Sequence, residues 1–203
     1  MKYPDSRLLL LSKAPEPGKV KTRLAPQLGM DAAASLYGKL VHDCLTMCVS
    51  AQLCPVDIWC SPTPDHHFFQ HCSKRYSTNL HQQAEGDIGL RMSRAILSAL
   101  QHAEHVVLIG ADCPTLTAGD LDAAFHALQE GSDVVLGPAE DGGYYLIGMS
   151  RHHPTLFEDI SWSTHKVLEA TEMRLRQLGL RWHSLPVHRD IDTAEDYAVY
   201  MSM

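Results

Sequence analysis

The chain has 203 residues, of which 45% are hydrophobic and 20% charged, as is ordinary for a soluble globular protein. Its formal net charge of −7 argues against a general nucleic-acid surface, because such a surface carries an excess of Lys and Arg. The six cysteines form no C-x-x-C pair, and no stretch approaches the roughly 18 apolar residues of a membrane span. We therefore expect a reduced, cytoplasmic protein that binds neither nucleic acid nor a membrane.

The first half of the chain alternates strand and helix patterns. A continuous apolar run predicts a strand over Arg7–Lys13, of the kind that is buried on both faces. A loop rich in Pro, Gly and Lys follows, and then a long helix from about Asp31 to Ala51, whose apolar stripe repeats every fourth residue from Leu36 to Cys48. The next predicted elements are a strand at Val56–Cys60, a helix around Asp65–Arg75, a weak strand near Asn79–Gln82 and a helix with Met92, Ile96 and Leu100 on one side.

The second half contains the strand with the clearest pattern, His105–Gly110. Thr117 followed by Asp120 is a capping-box signature and predicts that a helix begins there. The remaining predicted elements are strands at Asp133–Gly137 and Tyr144–Met149 around a Gly-rich bend, a helix near Thr164–Gly179, a strand near Arg181–Val187 and a short final helix opened by Asp192 or Thr193.

Alternating strands and helices indicate an α/β fold with a largely parallel sheet covered by helices on both faces. No linker, repeat or low-complexity tract interrupts the sequence, so we expect one domain over residues 1–203. In such a sheet, ligands bind beyond the carboxyl ends of the strands, where the chain leaves the sheet. The unusual residues of this sequence follow predicted strands and are expected at that edge.

The loop after the first strand has a composition that suits a polyphosphate. Within eleven residues it carries four cations, a glycine and a hydroxyl, namely Lys13, Gly18, Lys19, Lys21, Thr22 and Arg23. Glycine lets backbone N–H groups approach phosphate oxygens, Arg binds two oxygens at once, and Lys supplies a point charge. The loop does not match the Walker A pattern. A solvated basic surface loop is the alternative interpretation.

Carboxylates follow two further strands. Asp112 comes directly after the strongest predicted strand, and Asp190 and Asp192 lie two residues apart before the final helix. Mg²⁺ prefers one or two carboxylates together with phosphate oxygens, so these residues are candidate ligands of Mg²⁺ or Mn²⁺. Turn formation by Asp112 and helix capping by Asp192 are the alternatives, and the spacing does not decide whether Asp190 or Asp192 would reach a metal.

Two other segments invite a functional interpretation. Paired glycines beside an acid and two tyrosines, in Gly137–Tyr145, suggest backbone that passes close to a ligand, with a simple hairpin turn as the alternative. His67 and His71 are spaced for one face of a helix, with His66 and Cys72 adjacent, which raises a zinc site as a third idea against a polar surface helix.

Taken in order, these segments resemble a bacterial family of GT-A-fold transferases called radical-SAM/selenodomain-associated transferases, or arsenosugar-biosynthesis glycosyltransferases. The resemblance spans nearly the whole chain, and its first and fourth segments are the specific ones. The matching segments are K-A-P-E-P-G-K-V-K-T-R-L-A-P (13–26), G-D-I-G-L-R-M (86–92), G-A-D-C-P-T-L (110–116), G-P-A-E-D-G-G-Y-Y-L-I-G (137–148), I-S-W-S-T-H-K-V (160–167) and D-I-D-T-A-E-D (190–196). The first loop and the last segment also look like those of nucleotidyltransferases that make cofactor precursors.

The resemblance implies a nucleotide-diphospho-sugar-transferase fold, that is, a three-layer α/β/α sandwich with a mixed, mostly parallel sheet. It implies that Lys13, Lys21 and Arg23 grip phosphates, with Lys21, Arg23 and Asp112 as the catalytic residues. It also implies that Gly86 and Gly89 face the base or ribose, and that Asp112 binds the metal with Asp192 as its partner. The expected acceptor side consists of Asp141, Gly142, Gly143, Tyr144, Trp162, Ser163 and Thr164.

Three functions are compatible with these residues. The excess of cations in the first loop favours transfer of a nucleotidyl group from a nucleoside triphosphate to a small phosphorylated acceptor, because the β- and γ-phosphates of the leaving group need counter-charges. A glycosyltransferase that uses a nucleotide sugar is the alternative enzyme, since a diphosphate also suits a basic loop. A non-catalytic nucleotide-binding domain is the third possibility. The base, the acceptor and the oligomeric state are left open by the sequence.

Overall fold

A computed structural model of the protein describes residues 1–202, which contain one seven-stranded sheet and seven α-helices. The strands are β1 Ser6–Lys13, β2 Val56–Ser61, β3 Asn79–Gln82, β4 His105–Ile109, β5 Val134–Pro138, β6 Tyr144–Met149 and β7 Trp182–Ser184. The helices are α1 Ala25–Leu28, α2 Met30–Ser50, α3 His67–Tyr76, α4 Ile88–Ala99, α5 Ala118–Gln129, α6 Val167–Gln177 and α7 Ala194–Tyr200, with a 3₁₀ turn at Pro154–Leu156.

The sheet is mixed and mostly parallel, in the order β3-β2-β1-β4-β6-β5-β7. Strand β1 pairs in parallel with β2 and β4, whereas β6 lies antiparallel between β4 and β5. The carboxyl ends of β1 and β4 therefore share one edge with the beginning of β6. This edge gathers the loops that follow Lys13 and Ile109 and the bend that precedes Tyr144.

Alternate side chains of each central strand enter two separate cores, which makes the fold a three-layer α/β/α sandwich as predicted. In β1, Leu8 and Leu10 enter one core with residues of α2, α3 and α5, and Leu9 enters the other with residues of α4 and α6. Both cores contain fully buried residues, so β1 reads as an unbroken apolar run.

A third, smaller cluster joins the first loop to the end of the chain. Leu24 and Ile191 are buried together with Ala33 and Leu40 of α2. The partly buried side chains of Tyr197 and Tyr200 from α7 pack on this cluster. It seats the basic loop beside the segment that carries Asp190 and Asp192.

The predicted elements agree with the observed ones apart from their ends and two short pieces. Helix α1 and the 3₁₀ turn are absent from the predictions, and each begins next to a proline. Thr193, not Asp192, caps α7, because its side chain accepts the amide of Asp196 in a capping box. The capping box of Thr117 and Asp120 is present at α5 as predicted.

The predicted apolar stripe of α2 faces the core. Its members Leu40 and Cys48 are buried, and Leu36 and Cys44 are half-buried and pack against the core clusters. The adjoining row of Tyr37, Val41 and Leu45 is buried as well, so the buried face is wider than one stripe. Among the described residues, no helix has the length and apolar character needed to cross a membrane.

Candidate functional site

Two adjoining cavities open at the sheet edge where β1 and β4 end. The larger has a volume of about 610 Å³ and the smaller about 310 Å³. Their common wall includes one cation, Lys21, and three carboxylates, those of Asp112, Asp190 and Asp192. Such concave sites, with a few convergent polar groups, are the usual location of small-molecule binding.

Lys21 connects the basic loop to both acidic segments. Its side chain is 3% exposed, and its Nζ donates to the carbonyl oxygen of Ile191 at 2.5 Å. The same Nζ lies 2.9 Å from Oδ1 of Asp112 and 3.7 Å from Oδ1 of Asp192. Its backbone φ of 46° is left-handed, a conformation that the surrounding contacts must hold in place. The ammonium group is therefore committed to protein oxygens, although it borders both cavities.

The three carboxylates differ in how well they are paired. Asp192 forms an ion pair with Arg23 at 2.7 Å, so both its oxygens lie near a cation. The buried Oδ1 of Asp112 lies 2.9 Å from Nζ of Lys21, whereas the buried Oδ1 of Asp190 has no hydrogen-bond or ion-pair partner in the described residues. Burial, together with the negative charge of Asp112 and Asp141, raises the pKa of Asp190 to about 7. The orphaned oxygen of Asp190, close to Asp112, is a place where a further cation would be favoured.

A chain of hydrogen bonds fixes the two acidic segments relative to each other. The amide of Ile191 donates to the carbonyl oxygen of Asp112 at 2.9 Å. The ring of His188 bridges Thr115 and Asp120, with Nδ1 2.9 Å from the hydroxyl of Thr115 and Nε2 3.2 Å from Oδ2 of Asp120. The positions of Asp112 and Asp190 therefore depend on contacts between loops that are far apart in the sequence.

The larger cavity brings together most of the predicted phosphate-binding residues. Lys13, Lys19, Thr22 and Arg23 line it with Lys21, whereas Gly18 lies outside its lining. Lys19 pairs with Glu16 at 2.5 Å and is 71% exposed. Lys13 is exposed and forms no ion pair within residues 1–202, so its ammonium group is available to a ligand.

The rear of the larger cavity is polar and ordered. The hydroxyl of Tyr37 lies 3.2 Å from the hydroxyl of Ser12 and accepts the amide of Lys13 at 3.1 Å. Gln83 is buried and donates its amide group to the carbonyl oxygens of Ser12 and Trp59, both at 2.8 Å. These contacts hold the end of β1 rigid beside the loop that carries the cations.

Most of the predicted acceptor-side residues line the smaller cavity. Asp141, Gly143 and Tyr144 come from the bend before β6, and Trp162, Ser163 and Thr164 come from the segment before α6. Gly142 does not line the cavity. A Cβ on Gly142 would lie 2.1 Å from the carbonyl oxygen of His165, so this glycine allows the two segments to touch.

The two glycines expected to face a base or ribose lie outside both cavity linings. Gly86 is exposed, with a φ of 114°. Gly89 is buried against the indole of Trp162, and a Cβ there would lie 2.3 Å from that ring. Gly89 thus supports Trp162 at its position in the smaller cavity. A contact between Gly89 and a base stays a prediction.

The candidate zinc cluster and the candidate magnesium ligands have different surroundings in the structure. In the part of the chain that the structure describes, no three His, Cys, Asp or Glu side chains are grouped to hold a metal ion by themselves. His66 of the candidate zinc cluster accepts the amide of Phe68 as the cap of α3. Asp190, with its orphaned oxygen, and the nearby Asp112 fit a cation that takes its other ligands from a bound phosphate, as Mg²⁺ does.

Sequence reasoning missed four residues that shape the site. Arg91 lines the larger cavity from the first turn of α4, where its Nε donates to the carbonyl oxygen of Gly86 at 2.9 Å. A cation just after the cap of a predicted helix was the available signal for Arg91. Tyr37, Gln83 and His188 act through partners distant in the sequence, and no local pattern distinguishes them.

Comparisons with known proteins place this geometry in a family. Residues 44–164 match the family described as "Uncharacterized protein conserved in bacteria (DUF2064)". No curated protein matches the chain. A crystal structure from Desulfovibrio desulfuricans G20, described as a "putative nucleotide-diphospho-sugar transferase", is 34% identical, with a TM-score of 0.89 over 97% of this chain and 86% of that one.

More distant structures share the fold alone. The 4-diphosphocytidyl-2C-methyl-D-erythritolsynthase from Anaerococcus prevotii is 9% identical, with a TM-score of 0.65 over 98% of this chain and 97% of that one. A nucleotidyl transferase from Methanothermobacter thermautotroptrophicus is 13% identical, with a TM-score of 0.64 over 97% and 96%. The fold is thus that of the nucleotide-diphospho-sugar transferases, and the chain belongs to the DUF2064 family of bacterial proteins.

Proposed function

We propose that this protein is a transferase that uses a divalent metal ion to move a nucleotidyl group from a nucleoside triphosphate to a small acceptor. One observation carries the proposal, namely the unequal charge of the two adjoining cavities. Five cationic and three acidic side chains line the larger cavity, whereas one cationic and four acidic side chains line the smaller. The donor's phosphates belong in the first cavity and the acceptor in the second.

The donor needs several cations at once. Nucleotidyl transfer expels pyrophosphate, whose charge increases as the bond to the α-phosphorus breaks. Lys13, Lys19 and Arg91 line the larger cavity outside the Lys21 contacts and would hold the β- and γ-phosphates. Arg23 and Lys21 keep the carboxylates of Asp192 and Asp112 at the common wall.

Asp112 and Asp192 are the metal ligands expected from the sequence, and the orphaned oxygen of Asp190 makes it a third candidate. When bound, Mg²⁺ or Mn²⁺ would neutralise charge on the transferring phosphoryl group. Lys21 holds Asp112 and Asp192 on one side of the site before any ligand arrives. That pairing limits the repulsion among carboxylates that lie close together.

Glycosyl transfer from a nucleotide sugar is the second candidate. The name given to the Desulfovibrio relative supports it, and so does the resemblance to the radical-SAM/selenodomain-associated transferases. A sugar diphosphate carries less charge than a triphosphate, so the cations that line the larger cavity suit a triphosphate better. We therefore keep nucleotidyl transfer as the leading proposal.

The acceptor expected from the sequence is a small phosphorylated molecule. The single cation in the lining of the smaller cavity gives little support to that expectation, because Lys21 is already paired with carboxylates.

A product assay distinguishes the two reactions. The purified protein would be incubated with Mg²⁺, small acceptors and either nucleoside triphosphates or nucleotide sugars. Nucleotidyl transfer releases pyrophosphate from the triphosphates, and the Asp112→Asn variant should lose this release while keeping its melting temperature. Release of nucleoside diphosphate from nucleotide sugars alone would replace the proposal with glycosyl transfer.

A further inference from the structure

The smaller cavity has a chemical character that constrains what it binds. Its polar lining consists of Lys21 and four aspartates, Asp112, Asp141, Asp190 and Asp192, with the hydroxyl side chains of Ser163 and Thr164. The rings of Tyr144 and Trp162 and the apolar side chains of Ile88, Met92 and Val167 complete it. We propose that the acceptor is an uncharged polyhydroxylated molecule, of the sugar or polyol class, and that one of its own hydroxyl groups attacks the donor. This inference rests on the proposed nucleotidyl transfer.

The charges of the lining disfavour a phosphate ester. Lys21 is the one cation among the described residues that line this cavity, and its Nζ is occupied by Asp112 and the carbonyl oxygen of Ile191. The exposed carboxylate of Asp141 has no cationic partner within residues 1–202. A phosphate placed here would find no free cationic side chain and no donor fork to bind it.

A cationic acceptor is disfavoured by the metal ion that the proposed function requires at this wall. The candidate ligands of that ion, Asp112, Asp190 and Asp192, are three of the four aspartates in the lining. A positively charged acceptor would lie beside the bound ion and would be repelled by it.

The uncharged part of the lining fits hydroxyl-bearing carbon skeletons. Carboxylate oxygens accept hydrogen bonds from hydroxyl groups, and the hydroxyls of Ser163 and Thr164 both donate and accept. The rings of Tyr144 and Trp162, whose centroids lie 6.5 Å apart, offer apolar surface to the C–H groups of such a molecule. The volume of about 310 Å³ lies at the lower end of the range for small-molecule sites, which favours an acceptor of monosaccharide size.

The reaction balances without a further reactant. The acceptor oxygen forms a bond to the α-phosphorus, and the bond from that phosphorus to the bridging oxygen breaks, with its electron pair leaving on pyrophosphate. The hydroxyl proton passes to a carboxylate of the cavity lining and then to water. The product is a phosphodiester, in contrast to the diphosphate linkage that a phosphorylated acceptor would give.

Chemically paired acceptors test the inference. Each sugar or polyol and its monophosphate ester would be offered separately with Mg²⁺ and nucleoside triphosphates, and pyrophosphate release would be measured. We expect the unphosphorylated member to react at least tenfold faster in the productive pairs, with a phosphodiester signal in the phosphorus NMR spectrum of the product. Faster reaction of the monophosphate esters would overturn the inference and leave the proposed function standing.

A binding measurement covers the case in which no pair releases pyrophosphate, an outcome that counts against the proposed function itself. With Trp59→Phe and Trp182→Phe in place, the fluorescence of Trp162 reports occupancy of the smaller cavity in the presence of Mg²⁺ and a non-hydrolysable triphosphate. Tighter binding of the polyols than of their esters supports the inference, and the reverse order overturns it.

A matched pair of variants locates the acceptor. Asp141→Asn keeps the shape of the side chain and removes its charge, and we expect it to raise the acceptor KM at least tenfold while the nucleotide KM is unchanged. Glu140→Gln is the control, because the neighbouring Glu140 pairs with Arg189 and lines neither cavity. Equal acceptor KM values for the two variants would contradict the placement of the acceptor beside Asp141.

Discussion

The Nζ of Lys21 lies 2.9 Å from Oδ1 of Asp112, across a wall that both cavities share. With a further bond to the carbonyl oxygen of Ile191, this contact joins the first loop to two segments that lie about ninety and 170 positions further along the chain. Lys21 therefore organises the site, whereas the exposed Lys13, which forms no ion pair within residues 1–202, is free to meet a ligand.

Lys21→Met should destabilise the protein, because it leaves the carbonyl oxygen of Ile191 and the aspartates without their cation. The aspartates are almost half exposed, so water screens the loss, and we expect a decrease of about 1–2 kcal/mol in the free energy of unfolding. Urea denaturation measures it. Lys13→Met is the control, since Lys13 is exposed, and it should weaken nucleotide binding without changing the unfolding midpoint.

Gly89→Ala should disturb the smaller cavity through Trp162. The added methyl group would lie 2.3 Å from the indole, so the ring must move, and overpacking of this kind costs about 1–3 kcal/mol. Thermal unfolding and tryptophan fluorescence would both change. Gly119→Ala, in α5, adds a methyl group with only ordinary contacts and should be neutral or stabilising. Similar melting temperatures for the two variants would refute the close packing of Gly89 on Trp162.

His188→Ala should loosen the alignment of the two acidic segments. The variant loses the hydrogen bonds to Thr115 and Asp120, which together contribute about 1–2 kcal/mol to stability. Because Asp112 and Asp190 lie on the segments that His188 connects, we also expect a weaker apparent affinity for Mg²⁺ in turnover. A loss of stability with an unchanged Mg²⁺ dependence would show that His188 has no effect on the metal-binding geometry.

Three partly buried histidines should make the protein less stable in acid. Burial lowers the pKa of His42, His105 and His152 below the ordinary value of 6.5. The unfolded chain then takes up protons at a pH where the folded chain does not, so stability is present above pH 6.5 and is lost as the pH falls through the lower folded pKa values. Asp190 contributes in the opposite direction, because its pKa is raised to about 7 and its folded carboxyl takes up a proton first, so the test uses the Asp190→Asn variant. The melting temperature of this variant, measured from about pH 8 to about pH 5, should fall across the acidic half of that interval. A constant melting temperature would contradict the burial of these rings.

Local patterns predicted the helices, the strands and an α/β fold, whereas the mixed sheet was expected only from the family resemblance. The apolar run of β1 and the capping box of Thr117 and Asp120 each depend on neighbours in the sequence, and both appear as predicted. The position of β6 between β4 and β5 could not be predicted from local patterns, because it depends on pairing between strands across the sheet.

The candidate site was predictable in its residue types but not in its internal pairing. The motifs predicted that four residues lie at one edge of the sheet, namely Lys21, Arg23, Asp112 and Asp192. In the structure these side chains form ion pairs with one another. That Lys21 is buried and already paired follows from contacts to Ile191 and Asp112, which no spacing within the loop encodes. The contact of Gly89 with Trp162 is hidden for the same reason.

The fate of the donor's phosphorus atoms tests the central claim most directly. Nucleoside triphosphates labelled at either the α- or the γ-phosphorus would be incubated with Mg²⁺, a reactive acceptor and either the unaltered protein or the Asp112→Asn variant. The proposal predicts that the α-label enters the acceptor product, that the γ-label leaves as pyrophosphate, and that Asp112→Asn abolishes both while remaining folded. Transfer of the γ-label to the acceptor, or equal transfer by Asp112→Asn, would contradict it.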